Sequence, residues 1–258
     1  MSQLALWNGY MQGYDFLTQV DGYRRNMQDV LSRCHARLGA KVLDAGSGTG
    51  NLSLLLKEQG AQVVSCDFSR TALEKHRLKD PEAILVEASL GDRLPFEDNS
   101  FDSVCCASVL FALSQAGSQQ AVREFQRVLR PGGRLVVTVP SAAASLSRLV
   151  ELYFGGMIRR HGRVAGFLRG LGGLPGLARV LYYNHKLKTL PDWNGFHYFT
   201  ESELGTLITQ AGLNTAALTR TYGSVFLLAV ATKPESALVE QPARSAAMNK
   251  MLESVQAA

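Results

Sequence analysis

The chain has 258 residues, with 46% hydrophobic, 19% charged and 8% aromatic side chains and a net charge of +5. That composition excludes a disordered, a collagenous or a disulfide-framework protein, and the length suits one full-size domain carrying an insertion. No apolar run reaches the roughly 18–20 residues needed to span a bilayer, and the first residues lack the basic-then-apolar pattern of a secretory signal. A soluble, cytoplasmic protein is therefore the starting expectation.

Residues 4–38 read as largely helical, with Asp21 as an N-cap and Tyr23, Met27, Val30, Leu31 and Leu38 at helical spacing. Lys41-Val42-Leu43-Asp44 is a short apolar strand running into Ala45-Gly46-Ser47-Gly48-Thr49-Gly50, and Asn51 to Gln59 is a helix. Ala61 to Cys66 forms a second strand ending at Asp67, and Ser69 or Thr71 caps a helix through Leu78. Ala83 to Val86 and Ser103 to Ala107 are further strands, the latter following the turn-rich Glu97-Asp98-Asn99-Ser100. Gln119 to Leu129 is helical, stopped by Pro131-Gly132-Gly133, and Arg134 to Val139 is a fifth strand. This alternation predicts a parallel sheet covered by helices on both faces. Past residue 199, Thr200 caps a helix through Gln210. Thr215–Thr221 and Ser224–Thr232 then form a hairpin around Tyr222-Gly223. Residues 233–258 are a small, polar tail.

A strand that ends in a glycine-rich turn presents backbone N–H groups and a helix start to a ligand. The dinucleotide fingerprint wants glycine where Asn51 stands, and the Gly-Lys-Ser/Thr end of a phosphate loop is missing. Asp67, at the end of the second strand, is placed to accept both hydroxyls of a ribose. Asp44, just before the glycines, can attract or orient a cationic ligand.

On three ordered stretches the chain resembles the class I S-adenosylmethionine-dependent methyltransferases, in their small-molecule, quinone- or polyketide-type branch. They are Val42-Leu43-Asp44-Ala45-Gly46-Ser47-Gly48-Thr49-Gly50, Leu94-Pro95-Phe96-Glu97-Asp98-Asn99-Ser100-Phe101-Asp102 and Arg127-Val128-Leu129-Arg130-Pro131-Gly132-Gly133-Arg134-Leu135. The resemblance implies a Rossmann-like α/β fold with a seven-stranded, mostly parallel sheet, helices on both faces and a helical cap insertion. It implies S-adenosylmethionine as cofactor. Gly46, Gly48 and Gly50 would then form the turn around the methionine part, with Asp44 and Ser47 also binding the cofactor, Asp67 the ribose hydroxyls and Phe68 stacking near the adenine. Ala88 and Ser89 would meet the adenine edge, and Ala107 would approach the methionine. Many relatives have a His-containing pair where this chain has Phe111-Ala112.

Methyl transfer needs a base only when the acceptor brings its proton to the reaction. Candidates are His197, Tyr14 and Tyr10, with Asp15 and Tyr198 beside them, although aromatic packing or a surface histidine explains these residues as well. No cysteine or histidine spacing indicates a metal, and Cys66, Cys105 and Cys106 lie in strands as small buried hydrophobes.

The charge is uneven. Between Ser141 and Leu190 eight basic residues face one acid, Glu151, giving +7 and leaving the rest of the chain at −2. The segment divides the chain into an N-terminal cover (1–38), a core (39–140 and 200–232), a basic helical cap (141–199) and a tail (233–258). Its stripe of Leu146, Leu149, Val150, Tyr153, Phe154 and Met157 stands opposite Arg148, Glu151 and Arg159. That pattern suits a lid over a lipophilic or anionic small molecule, or a peripheral contact of 141–190 with an anionic membrane. It also suits an ordinary solvated cap. Nucleic acid is not an expected partner. The leading expectation is an enzyme methylating a small lipophilic or aromatic acceptor. An RNA or protein methyltransferase, or a non-catalytic cofactor-binding protein, stays open beside it.

Overall fold

The computed structural model describes residues 3–143, 146–188 and 196–235. In those residues a seven-stranded sheet runs in the order β3-β2-β1-β4-β5-β7-β6. Its members are β1 (Lys41–Ala45), β2 (Gln62–Asp67), β3 (Ile84–Glu87), β4 (Phe101–Ala107), β5 (Leu129–Pro140), β6 (Asn214–Thr221) and β7 (Phe226–Thr232). The first five are parallel, and β7 inserts antiparallel between β5 and β6. β1 and β4 are central and read as near-continuous apolar runs because both faces are covered. Helices α3 (Asn51–Glu58), α4 (Arg70–Lys79), α5 (Gln115–Val128) and α9 (Glu201–Gln210) accompany the sheet. Phe125, Leu129, Leu135, Leu204 and Ile208 are fully buried in the larger core cluster. Each such side chain is worth about 1.5–3 kcal/mol of transfer free energy.

The second and third sequence stretches are joined physically. Arg127 on α5 donates to the carbonyls of Leu94 and Phe96 and to Asp98, while Glu124 accepts from the Leu94 N–H at 2.8 Å. The loop before β4 is thus hung from α5, which aligns the strand that ends at the site. Pro131-Gly132-Gly133 proves to be more than a helix stop. Helix α5 ends at Val128, and the three residues lie within β5, where Gly132 and Gly133 exchange backbone hydrogen bonds with Lys233.

The N-terminal segment is α1 (Gln3–Gly13), a 3-10 turn (Tyr14–Gln19) and α2 (Asp21–Arg33). Asp21 is the first helical residue rather than the N-cap, a position Val20 takes with no side-chain bond. Its carboxylate is turned away to Arg160 and Arg159. Leu38 lies beyond the end of α2 and is exposed, so it does not extend the helical stripe.

Between β5 and α9 lie α6 (Leu146–His161), α7 (Arg163–Gly172) and α8 (Leu174–Lys188). Helix α7 sits against α6 at backbone distance. A Cβ on Gly166 would come within 2.6 Å of the Ile158 Cα, and one on Gly170 would overlap Phe154. Tyr153 and Met157 are buried, whereas Val150 is partly exposed. The side chains of Leu146, Arg148 and Leu149, residues 189–195 and the tail from 236 lie outside the described residues.

Candidate functional site

The parallel strands β1, β2 and β4 end on one edge, where the chain turns away to helices and leaves a crevice. In the turn after β1, Gly46, Gly48 and Gly50 have φ of +76°, +54° and +83°. A Cβ on Gly48 would project into nearly open space, with Tyr14 and Met11 no closer than 3.9 Å, so the missing side chain keeps the crevice clear. At Gly50 the reason differs, because the buried His76 ring occupies the place of a Cβ.

Asp67 closes β2 and is almost fully buried. One oxygen accepts the Gly48 N–H and the other the Ser69 N–H, both at 2.9 Å. Two backbone donors hold the carboxylate at the crevice floor, and an ionised carboxylate has further acceptor capacity. Burial raises its pKa, and the N–H groups work against that rise. Asp44 lies behind the turn, accepting from Ser53 Oγ at 2.5 Å. Its pKa is pushed up to about 7, chiefly by burial and further by Asp67, with the Ser53 hydrogen bond opposing.

A cavity of about 780 Å³ opens on this edge. That is within the ~300–1,000 Å³ of ordinary ligand pockets. Its lining includes the glycine turn and its surroundings: Gly46, Gly48, Asp67, Phe68, Ala88, Ser89 and Ala107. The rest of the lining is mainly apolar and aromatic, and part of it meets the turn directly, the Trp7 ring centroid lying 6.1 Å from that of Phe68. Trp7, Tyr10, Met11 and Tyr14 come from the N-terminal segment, Phe111 and Ala112 from the turn after β4. Tyr153, Leu177, Val180 and Leu181 come from the helices after β5, and Tyr222 and Phe226 from the hairpin.

Seven of the ten residues expected around a cofactor therefore meet in one cavity. Asp44, Ser47 and Gly50 do not line it. They shape the turn from behind: the Ser47 N–H donates to the Cys66 carbonyl, while its buried hydroxyl has no protein partner.

Tyr10 and Tyr14 line the cavity, but burial and neighbouring Tyr23 raise both their pKa values. That holds them as neutral phenols at ordinary pH, able to donate a hydrogen bond into the cavity. His197 is not brought to the cavity. Its side chain is 51% exposed and its Nε2 lies 3.7 Å from Glu203. Glu203 is itself fixed by the capping box with Thr200 at the start of α9, and the His197 N–H is bonded to the Phe111 carbonyl. That geometry holds the imidazole on the surface. All four cysteines are buried thiols.

Asp15 has a role that the residue pattern left open. Its Oδ1 accepts from Thr49 Oγ1 at 2.5 Å and from Lys79 Nζ at 2.7 Å, with Asn51 Nδ2 at 3.4 Å. Asn51, standing where a dinucleotide turn would have glycine, also donates to Tyr23. The N-terminal segment is thereby tied across the glycine turn. Ser108 and Val109 also line the cavity, and Ser108 has φ of +57°. Buried Asn26 on α2 donates to the Ser108 and Thr138 hydroxyls, anchoring that strained position. No local signal in the sequence marks Asn26, because its partners lie 82 and 112 residues away.

Comparison with known proteins adds a family. Residues 43–137 match the family described as "Methyltransferase domain". The demethylmenaquinone methyltransferase of Beutenbergia cavernae is 43% identical over 115 residues, 45% of this chain and 45% of its own length. The ubiquinone/menaquinone biosynthesis C-methyltransferase UbiE of Hahella chejuensis is 41% identical over 119 residues, 42% and 46% of the two chains. The chain thus spans about half the length of these relatives. Among solved structures, a putative methyltransferase of Haloferax volcanii in complex with the Trm112 activator superposes with a TM-score of 0.62. It is 15% identical, and the match covers 91% of this chain and 99% of that one. The [4+2]-cyclase SpnF gives 0.57 at 16% identity, over 82% and 81%. These structural likenesses establish the fold alone.

Proposed function

We propose that this chain, whose core is a class I S-adenosylmethionine-dependent methyltransferase domain, transfers a methyl group to a small lipophilic acceptor of the quinone type. One observation carries the reading: a single cavity is lined both by the glycine turn with Asp67 and by an aromatic, apolar wall. The cofactor fits the part of the cavity formed by the glycine turn. Asp67 presents a buried carboxylate for two hydroxyls, Gly48 leaves the space a side chain would fill, and Phe68 lies beside it for the base. When bound, S-adenosylmethionine supplies an activated methyl group on a sulfonium, and the protein's own work is alignment and exclusion of water.

Gly46, Gly48, Asp67, Phe68, Ala88, Ser89 and Ala107 position the donor. Trp7, Tyr10, Tyr14, Phe111 and Tyr153 give a flat acceptor apolar faces and shed water. With His197 outside the cavity, Tyr10 and Tyr14 hold and orient the acceptor. The quinone class is supported by the names of the two relatives, which report quinone methylation for those proteins.

The helices between β5 and α9 form the cap of this cavity. Val164, Phe167 and Leu168 on α7 are 75%, 50% and 60% exposed, beside Arg163 and Arg169. This supports a peripheral contact with an anionic bilayer from which a lipophilic acceptor enters. Among the described residues no helix is long and apolar enough to cross a membrane.

The test is incubation of the full chain with methyl-labelled S-adenosylmethionine and a panel of demethylated naphthoquinols and benzoquinols, followed by product identification. Label in a quinone-type product is expected. Label only in polar metabolites, RNA or protein removes the lipophilic-acceptor reading.

A further inference from the structure

A second cleft lies where α6 meets α7, apart from the methyl-transfer cavity and sharing none of its lining residues. Its volume is about 610 Å³. Arg160 and His161 enter it from the end of α6, Arg169 from α7, and Thr18 and Phe16 from the 3-10 turn. Gly173 and Gly176 line it at backbone thickness, because a Cβ on Gly176 would run into Phe16 and one on Gly173 into the Tyr153 hydroxyl. Arg169 Nη1 lies 3.1 Å from His161 Nδ1, an arrangement that leaves a guanidinium beside a neutral imidazole. Slight burial, then Arg169 and Arg160, lower the His161 pKa. The neighbouring carboxylate, Asp21 of α2, is engaged by Arg160 and by Arg159 at 4.0 Å. Among the described residues no carboxylate pairs with Arg169.

Asp21 offsets Arg160, but Arg169 is left at the cleft without a carboxylate partner among the described residues, and a guanidinium fork so placed suits phosphate oxygens. We propose that this cleft binds the phosphate of a phosphate ester, with Arg169 as principal ligand, Arg160 and His161 beside it and the Thr18 hydroxyl at its rim. A bound phosphate relieves the crowding of like charge around His161 and lets the imidazole take a proton. The ester is either a headgroup of an anionic lipid or a soluble phosphorylated molecule. The exposed Phe167 and Leu168 on the same helix as Arg169 give the lipid an apolar neighbour.

The experiment uses the full chain at low salt, where charge-dependent binding is least screened. Inorganic phosphate is titrated by calorimetry, and vesicles of phosphatidylglycerol or phosphatidylcholine are tested by co-sedimentation. Arg169→Gln and His161→Gln are compared with the parent, both leaving the Asp21 pairs in place. Binding of phosphatidylglycerol vesicles in preference to phosphatidylcholine, weakened about tenfold or more by Arg169→Gln, assigns the site to a lipid headgroup. Arg169-dependent binding of inorganic phosphate with no vesicle preference assigns it to soluble esters. Absence of both, or binding unchanged in the two variants, overturns the proposal. Methyl transfer is not read in any arm, so failure here is separate from failure of the proposed activity.

Discussion

Replacing Asp67 by alanine separates the two duties that its carboxylate carries. In the folded chain each oxygen accepts one backbone N–H at 2.9 Å, from Gly48 and from Ser69. Charge-assisted bonds of this kind are worth about 1.5–3 kcal/mol each. Against that stands the cost of burying the charge, which the raised pKa records. The cavity also admits water to the vacated N–H groups, so the net destabilisation is about 1–2 kcal/mol. For a chain of this size that lowers Tm by roughly 2–8 °C. Cofactor affinity falls further, since the ribose acceptor is removed and the Gly48 turn is loosened. The expected loss is tenfold or more, about 1.4 kcal/mol. Asp67→Asn falls between, because the amide oxygen retains one N–H while its NH2 faces the other donor. Isothermal calorimetry with S-adenosylmethionine and S-adenosylhomocysteine, beside thermal melts, measures both quantities. A lowered Tm with affinity within twofold of the parent would make Asp67 a strut of the turn and nothing more, refuting the ribose assignment.

Asp15→Ala cuts the tie from the N-terminal segment to Thr49, Asn51 and Lys79. It is expected to weaken S-adenosylmethionine binding several-fold while lowering Tm by only a few degrees, and calorimetry on the folded variant checks it. Gly50→Ala combines a φ of +83° with overlap on the His76 ring and should cost about 2 kcal/mol or more. His76→Ala in the same chain should recover part of that loss in a denaturant titration, and full additivity would contradict the contact. Asp44→Asn tests the buried acid, whose folded pKa of about 7 exceeds the ordinary 3.8. The folded state keeps a proton that the unfolded chain releases, so stability is full below pH 4 and declines as pH rises to 7. The decline is about 4 kcal/mol at most. Ser53 can still donate to the amide, so the variant should gain Tm at pH 8 and not at pH 4. Tyr10→Phe and Tyr14→Phe should leave the pH dependence of methyl transfer unchanged. An acidic limb lost in either would restore that tyrosine as a base.

Most of the sheet was legible because the strands are short apolar runs punctuated by residues with one job. The alternation at 41–44, 61–67, 83–86 and 103–107 and the glycine turn after Asp44 are local signals, as is the Thr200–Glu203 box. Local signals survive in a sequence because the groups that read them lie within a few residues. Asp67 was placed by its position at a strand end, whereas Phe68, Ala88, Ser89 and Ala107 came only from the resemblance to the methyltransferases.

Tertiary structure decided the rest. Asp21 has the composition of an N-cap, yet two arginines about 140 residues away offered its carboxylate stronger partners. His197 looked available until Glu203, committed to a helix cap, was seen to hold it on the surface. The acceptor wall joins the first helix, the turn after β4, the cap and the hairpin, and no periodicity reports such a meeting. Composition and motif therefore indicated the strands of the core and the glycine turn, whose signals are local. What the cavity can hold, and which cations are left without a counter-charge, depended on long-range contacts that exist only once the chain has folded.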